Sequence, residues 1–144
     1  MTFQKLKYIR YISIFLLLIY AIHPFINGLG CSYHAQSENA QLSFYTTCKM
    51  GFVESVVKNK ITGKLISFKG IYGKSGNTIF FITYQVNILS VDKSDLNNVT
   101  ELYTSNRIFV SKLIKNSDGS EWVMLQHPYY TVHQSRHIGK LAFL

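Results

Sequence analysis

The chain has 144 residues and a formal net charge of +8, with 15 Lys and Arg against 7 Asp and Glu. Three of the basic residues stand at positions 5, 7 and 10, ahead of an apolar stretch, and the others are spread along the remaining sequence. Dispersed cations are typical of a solvated surface, whereas a nucleic-acid site needs a concentrated basic patch. The composition therefore argues against direct nucleic-acid binding.

The first residues predict a membrane-directed segment. Lys5, Lys7 and Arg10 precede an apolar run over residues 11–28, and a basic flank keeps its side of such a segment in the cytoplasm. The run has the length of a signal peptide and reaches the short end of a spanning helix. Three outcomes stay open: an uncleaved transmembrane anchor, a signal segment cleaved after Gly30, and a lipoprotein.

All three outcomes place the rest of the chain on the far side of the membrane. The sequence divides into a cytoplasmic basic tail at residues 1–10, the transmembrane anchor or signal segment at residues 11–28, a polar connector at residues 29–41 and an exported β-domain at residues 42–144. The exported part is long enough to bury a single core. We therefore expect one domain outside the cytoplasm.

The two cysteines, Cys31 and Cys48, predict a disulfide, because exported compartments are oxidising. Closing this loop is expected to stabilise the fold by about 3 kcal/mol. A lipid on Cys31 would leave Cys48 unpaired, so the disulfide and the lipoprotein exclude each other. Two thiolates without neighbouring ligand residues do not complete a coordination shell, and we expect no metal site.

Beyond the connector the chain is rich in aromatic and β-branched residues, which favour strands. Apolar side chains at every second position over residues 78–91 predict a strand with one buried face, and residues 73–77 predict the turn that joins it to a strand over residues 64–72. Further strands are predicted over residues 42–48, 51–57, 99–104, 107–115, 121–126, 131–133 and 138–143, with a turn over residues 92–98. Since amphipathic helix patterns are nearly absent, the sequence predicts a mainly β protein, an N-terminal transmembrane helix followed by a small antiparallel β-barrel or sandwich.

Aromatic residues are abundant, with 10 Phe, 10 Tyr and 1 Trp. Those in the predicted strands are expected to fill the core. Alternatively, some line an apolar cavity at one end of a barrel, which would take an amphipathic ligand such as a bile acid. The candidate cavity residues are Phe68, Tyr72, Phe80, Tyr84, Phe109 and Trp122.

Three histidines, His127, His133 and His137, fall close together near the end of the sequence. The spacing of His133 and His137 suits a zinc pair on a helix, but a strand would hold them roughly 13 Å apart. No Asp or Glu follows residue 126 to complete a site. We interpret the three as surface histidines of a polar loop, with pH sensing as the alternative, because imidazole titrates in the relevant range.

No catalytic motif stands out in the sequence. It contains no Gly-x-Ser-x-Gly nucleophile elbow and no glycine-rich phosphate loop, and its Ser, Lys, Cys and His residues match no known nucleophile arrangement. We therefore expect no enzyme activity, no catalytic residues and no cofactor. A triplet at Asn98 fits a glycosylation sequon, which matters only where exported proteins are glycosylated.

The order of these features, from Lys5 through the apolar run to Cys31 and Cys48 and on into a strand-rich part, resembles a group of small bacterial membrane proteins. These are the single-pass partners of ToxR-like transmembrane transcription activators, the PsaF/MyfF-type, FidL-like and ToxS-like proteins. The similarity covers the whole length but lies in format, and no binding residue carries over. It implies a bacterial inner-membrane protein with a single pass and a periplasmic C-terminal domain.

The resemblance also implies a function. Such a protein would form a heterodimer with a ToxR-like activator, stabilise it and tune its response, while its own helix contacts membrane lipid and no part of it contacts nucleic acid. We expect residues 138–144 to offer a free sheet edge for strand addition. The alternatives are a periplasmic domain that binds a bile-acid or lipid-like small ligand, and an envelope lipoprotein or immunity protein.

Overall fold

Eight strands follow a long N-terminal helix. The computed structural model describes residues 2–90, 104–117 and 120–144, with side chains from residue 7 onward. The elements are α1 (Thr2–Gly28), β1 (Ser32–Glu38), β2 (Leu42–Lys49), β3 (Phe52–Asn59), β4 (Leu65–Ser75), β5 (Thr78–Ser90), β6 (Ile108–Lys115), β7 (Glu121–His127) and β8 (Thr131–Lys140). Each strand pairs antiparallel with the next and β8 pairs with β1, which closes the barrel. The predicted mainly β architecture is confirmed, and it is a barrel, not a sandwich.

The segment Lys7–Gly28 of α1 is long and apolar enough to cross a membrane. Its 22 residues extend about 33 Å at 1.5 Å per residue, close to the roughly 30 Å of a bilayer core. The most apolar part of this segment is not buried against the barrel, so its side chains need an apolar environment from elsewhere. The helix is consistent with a single-pass membrane protein.

The polar connector predicted at residues 29–41 is wrong, because β1 begins at Ser32, with only three residues between it and the end of α1 at Gly28. In β1 the buried Tyr33 and half-buried Ala35 alternate with exposed polar residues. The outer face of β1 is wholly polar, and its inner face holds few large side chains. For this reason its sequence resembles that of a linker. The structure shows instead that no linker separates the helix from the barrel.

Asn27 fastens the end of α1 to the barrel. Its Nδ2 donates to the Lys74 carbonyl oxygen at 2.9 Å, and its Oδ1 accepts from the Leu144 backbone N–H at 2.9 Å. Asn27 is buried, and these bonds satisfy polar atoms that would be costly to bury unpaired. A Cβ at Gly28 would lie 2.3 Å from the Tyr72 carbonyl oxygen, so only glycine allows α1 to approach β4 this closely.

The predicted disulfide between Cys31 and Cys48 is confirmed, with the two Cα atoms 5.7 Å apart. Both cysteines are buried. The bond connects Cys31, which lies immediately before β1, to Cys48 in β2. Because the Cys31 sulfur is committed to this bond, it is not available for the thioether of a lipoprotein. The lipoprotein alternative is therefore excluded for the disulfide-bonded form.

Replacing both cysteines by alanine is expected to lower the free energy of unfolding by about 3 kcal/mol, because the crosslink restricts the unfolded chain. Urea unfolding of the full chain in a mild detergent, followed by circular dichroism, measures the loss. The unmodified chain treated with a reducing agent is the control and should lose a similar amount. Unchanged unfolding midpoints for the variant and the reduced chain would contradict the prediction.

Most predicted strands lie within a few residues of the observed ones, but β4 and β8 differ more from the sequence prediction. β4 continues to Ser75, so the turn predicted over residues 73–77 shortens to Gly76 and Asn77. β8 is continuous from Thr131 to Lys140, whereas the sequence predicts two separate strands. Closing a barrel requires long paired strands, and this pairing overrides the local turn signals of Gly73 and of the polar residues in the middle of β8.

Some predicted features lie outside the described residues. These are the turn over residues 92–98 and the sequon at Asn98. Of the strand predicted over residues 99–104, only Thr104 is described, and it is helical. The prediction is wrong at that residue, and the others stay predictions.

The predicted free edge at residues 138–144 is wrong for the side of residues 138–140 that faces β1. Residues 138–140 belong to β8 and pair with β1. Beyond the strand, the backbone N–H groups of residues 143 and 144 donate to the carbonyl oxygen and the Oδ1 of Asn27. Barrel closure and the attachment of α1 therefore use part of the backbone that strand addition would need, while the pairing of β8 with β7 ends at Ser135.

The buried face of β5 changes along the strand because of a β-bulge. The register shifts between Lys69 and Gly70 of β4, which leaves Tyr84 without a direct partner on that strand. An extra residue reverses which side chains face inward. Thus Thr83 is buried on one side of the bulge and Val86 packs against the core on the other. The sequence predicts instead one uninterrupted buried face formed by Phe80, Ile82, Tyr84, Val86 and Ile88, and this prediction is wrong.

The barrel interior holds two apolar clusters. The first contains Leu42, Val57, Ile66, Phe68, Phe109 and Leu125. The second, at the end that receives α1, contains Cys31, Tyr33, Cys48, Val53 and Tyr72. Phe81 packs against both clusters, so the core is continuous along the barrel.

Candidate functional site

A cavity of about 150 Å³ lies inside the barrel and is bordered by both clusters. Its apolar wall is formed mainly by Phe68, Phe81 and Phe109. The rings of Phe68 and Phe109 meet edge to face with their centroids 6.0 Å apart, an arrangement that aromatic pairs favour. The cavity therefore has a well-packed aromatic wall.

The end of the cavity near α1 carries a pair of neutral phenols. The rings of Tyr33 and Tyr72 meet edge to face at 5.6 Å between centroids. Burial and the neighbouring Tyr72 raise the pKa of Tyr33, and burial raises the pKa of Tyr72. Both hydroxyls are therefore protonated at any physiological pH, and neither supplies a basic oxygen.

Three of the six aromatic residues predicted to line a cavity do so: Phe68, Tyr72 and Phe109. The other three face outward: Phe80, Tyr84 and Trp122. Phe80 contacts Phe25 of α1, with the ring centroids 6.5 Å apart. Tyr84 is directed outward at the bulge, and Trp122 is exposed because its neighbour Glu121 takes the inward position on β7. The outward placement corrects the prediction for these three residues.

A polar strip lines part of the same cavity. Hydroxyl groups from neighbouring strands face one another there, and those of Thr46 and Ser55 lie 2.9 Å apart. Ser135 of β8 is paired with Glu121 of β7, whose carboxylate is almost fully buried. The sequence pattern does not predict this strip, because serine and threonine at alternate positions are typical of the outward face of a strand.

The interpretation of His133 and His137 as loop residues is wrong, since both lie in β8 and line the cavity. His137 Nδ1 lies 2.5 Å from Glu121 Oε2, and Lys115 Nζ lies 3.6 Å from the other carboxylate oxygen. This pairing supplies the buried Glu121 with partners. His127 is exposed at the end of β7 and stands apart from the cavity.

His133 is the most deeply buried of the three predicted pH-sensing histidines. Its Nε2 lies 2.7 Å from Thr131 Oγ1, and its ring meets Phe44 edge to face. Its Nδ1 is buried without a hydrogen-bond partner. Burial lowers the pKa of His133 because the charged imidazolium loses its hydration.

Through His133, the barrel is expected to lose stability as the pH falls below about 6.5, the ordinary histidine pKa. In that range the unfolded chain binds a proton at His133 that the folded chain, with its lowered pKa, does not bind. A His133→Gln variant should therefore show a smaller loss of stability between pH 7 and about pH 5. Urea unfolding at the two pH values measures it.

A His127→Gln variant is the matched control, because it removes one imidazole from an exposed position. It should keep the full pH dependence of the unmodified chain. Equal pH dependence in the two variants would contradict the assignment of this effect to His133. The pH-sensing role itself stays a prediction.

The described residues do not bring together a metal site. Within residues 2–90, 104–117 and 120–144, no three His, Cys, Asp or Glu side chains are grouped so that they could hold an ion. Glu121 and His137 form a pair without a third such ligand. The cavity therefore offers apolar contacts and hydrogen bonds.

The outer wall carries a row of apolar side chains, which we call the lateral belt: Phe52, Ile71, Ile82 and Ile108. The register places each member beside the next, on β3, β4, β5 and β6. They are between 36% and 63% exposed. The alternating pattern of residues 78–91 assigns Ile82 to the buried face, so the sequence does not predict this belt.

A shallow groove of about 530 Å³ runs beside the lateral belt. Phe52 and Tyr84 border it, and Glu54 and Lys69 lie in it with 3.7 Å between carboxylate and ammonium. Both aromatic side chains are more than half exposed. The belt and the groove together form an outer surface with apolar and charged parts.

No protein-family model and no curated protein matches this chain. The geometry of the chain itself is what bears on its function. That geometry presents two features that folding alone does not require, the small interior cavity and the exposed lateral belt.

Proposed function

We propose that this protein is a membrane-anchored regulatory partner, without enzyme activity, that binds and stabilises a ToxR-like transmembrane transcription activator. Its barrel would lie in the periplasm, and α1 would anchor it in a bacterial inner membrane. The observation that carries the proposal is the lateral belt. Both the exposure of the belt and its position relative to α1 support the proposal.

The exposure of the lateral belt favours a protein partner. A one-sided sheet needs apolar residues only on its inner face, yet four neighbouring strands here carry large apolar side chains outside. The belt crosses three strand spacings, about 14 Å in all. Contiguous exposed apolar surface of this kind is typical of protein interaction sites.

The position of the lateral belt favours a partner in the same membrane. Phe52 begins the belt one residue after Gly51, and a Cβ at Gly51 would contact Leu29 at the end of α1. A protein anchored in the same bilayer would reach this surface by lateral diffusion. Since Asn27 fastens α1 to β4, binding at the belt would be coupled to the position of the helix.

Side-chain packing replaces strand addition as the proposed binding mode. Residues 138–140 already pair with β1 along one edge, and the backbone N–H groups of residues 143 and 144 donate to Asn27, so this segment offers little continuous free backbone. A partner would instead cover the lateral belt and insert a side chain into the groove between Phe52 and Tyr84. Aromatic and aliphatic anchors of this kind dominate binding energy in most protein interfaces.

An Ile82→Asp variant tests the proposal, because it places a charge in the middle of the lateral belt. The tagged full-length chain is co-expressed with a candidate ToxR-like activator, crosslinked in membranes and purified, and the intact mass of the bait is read in the same preparation. We expect the variant to recover at least tenfold less activator, with an uncut bait.

Val132→Asp is the matched control, because Val132 is similarly exposed but lies on β8, away from the belt. It should recover as much activator as the unmodified chain. Equal recovery by both variants would refute the belt as the binding surface. Failure to recover an activator, or a bait cut after Gly30, would refute the regulatory proposal itself.

Binding of a small ligand in the cavity is a second candidate, favoured by the unpaired Nδ1 of His133. The cavity measures about 150 Å³, whereas sites for drug-sized ligands range over about 300–1,000 Å³. A bile acid is therefore too large for this form of the barrel, and a molecule of about the size of benzene fits. Native mass spectrometry of the purified chain separates the candidates, because a bound small molecule adds a fixed mass.

A further inference from the structure

The end of the barrel that receives α1 carries exposed apolar side chains, which we call the apolar rim: Leu29, Met50, Phe143 and Leu144. They are between 51% and 86% exposed. Cβ atoms built at Gly51 and Gly30 would contact Leu29 and Phe143 respectively. The rim thus surrounds the point where the helix meets the barrel.

Three lysines accompany the apolar rim. Lys140 Nζ lies 5.5 Å from the centroid of the Phe143 ring, and Lys74 Nζ donates to the Leu144 carbonyl oxygen at 2.9 Å. Lys49 ends β2 immediately before Met50. Among the described ion pairs, none involves these three lysines. With respect to the part of the chain that the structure describes, their positive charge is therefore available to an external anion.

We propose that the apolar rim and Lys49, Lys74 and Lys140 bind the surface of a bilayer that contains anionic phospholipid. The spanning segment ends at Gly28, and Leu29 is the next residue, so the rim lies where the helix leaves the hydrocarbon core. Exposed apolar side chains at this depth enter the interfacial region. The inference rests on α1 spanning the membrane and does not depend on the identity of the regulatory partner.

The positive charge of the three lysines beside the apolar rim favours anionic phospholipid. A lysine close to an anionic surface is attracted to it, and a long lysine side chain can place its stem beside apolar groups while its ammonium reaches the headgroups. Lys140 already lies over the Phe143 ring in this way. The rim therefore matches phosphate headgroups above an apolar layer, and lipid contact would hold the barrel in one orientation on the membrane.

Hydroxyl-radical footprinting of the full-length chain tests the proposal, with one chain in each lipid nanodisc. Modification rates are read by mass spectrometry and divided by those of the urea-unfolded chain. In discs containing phosphatidylglycerol, we expect Met50 and Phe143 to be protected at least fivefold more than Ile61 and Tyr130. The latter two are similarly exposed and lie at the opposite end of the barrel.

Lysine variants test the charge component. Replacing Lys49 and Lys140 by glutamine should reduce the protection of Met50 in anionic discs to its level in neutral phosphatidylcholine discs. Replacing Lys58 and Lys64, which lie toward the other end, should leave the protection unchanged. Protection of Met50 within twofold of that of Tyr130, or protection insensitive to both lipid charge and the first substitution, would overturn the proposal. Activator recovery through the lateral belt is measured separately, so either proposal can fail alone.

Discussion

A Gly139→Ala substitution is expected to destabilise the barrel by more than about 3 kcal/mol, because backbone strain and a backbone clash act together. Gly139 has a φ of +111°, a conformation that side chains with a Cβ rarely adopt. An added Cβ would lie 2.2 Å from the Ser32 carbonyl oxygen and 2.9 Å from Tyr33 Cα. These atoms belong to β1, so the substitution acts on the pairing of β8 with β1 that closes the barrel.

A Gly63→Ala variant is the control that measures the cost of backbone strain without a steric clash. Gly63 also has a positive φ, +71°, but a Cβ there would meet no atom within 4 Å. This variant should lose only about 1–2 kcal/mol, the cost of the left-handed conformation. Urea unfolding of both variants in mild detergent, followed by the fluorescence of Trp122, provides the comparison. Equal losses of unfolding free energy in the two variants would contradict the prediction, because they would show that β1 moves to accommodate the Cβ of residue 139 without an energetic cost.

The features that could be predicted from the sequence depend on local patterns. The apolar run predicts the helix because its composition alone decides whether it can span a bilayer. Cys31 and Cys48 are the only cysteines, so only one disulfide pairing within the chain is possible. Dense β-branched and aromatic residues with turn signals between them predict a mainly β fold, but they do not distinguish a sandwich from a barrel, since both bury one face of each strand.

The features that could not be predicted depend on contacts between strands. The bulge at Tyr84 is a property of the pairing of β5 with β4, and no local pattern in β5 reveals it. The inward position of His137 depends on Glu121, a residue of the neighbouring strand that supplies its partner. Likewise, β1 is recognised as a strand only when β2 and β8 pair with it on both sides.

Because the sequence pattern assigns the two faces of β5 wrongly, it does not predict the lateral belt. A sequence pattern that directs Ile82 and Tyr84 into the core removes both side chains from the outer face of β5. Once the bulge reverses the assignment, Ile82 lies between Ile71 and Ile108 in the lateral belt. The same local irregularity therefore determines both the content of the cavity and the outer surface, which agrees with the frequent occurrence of bulges beside functional surfaces.

Phe68→Ala and Tyr84→Ala are expected to differ sharply, because the two aromatic residues lie on opposite faces of the wall. Phe68 is 2% exposed, lines the cavity and contacts Phe109. Its truncation should cost about 3–5 kcal/mol through lost apolar burial and an enlarged void. Tyr84 is 57% exposed, so its truncation should change the free energy of unfolding by no more than about 0.5 kcal/mol.

The pair of variants distinguishes the two assignments of β5. If the strand had the uninterrupted alternation that its sequence suggests, Tyr84 would face the core and its truncation would cost as much as that of Phe68. Urea unfolding measured on both variants under identical conditions gives the ratio of the two losses directly. A loss above about 2 kcal/mol for Tyr84→Ala would indicate a buried side chain, and would contradict the bulge and the outward position of its neighbour Ile82 in the lateral belt.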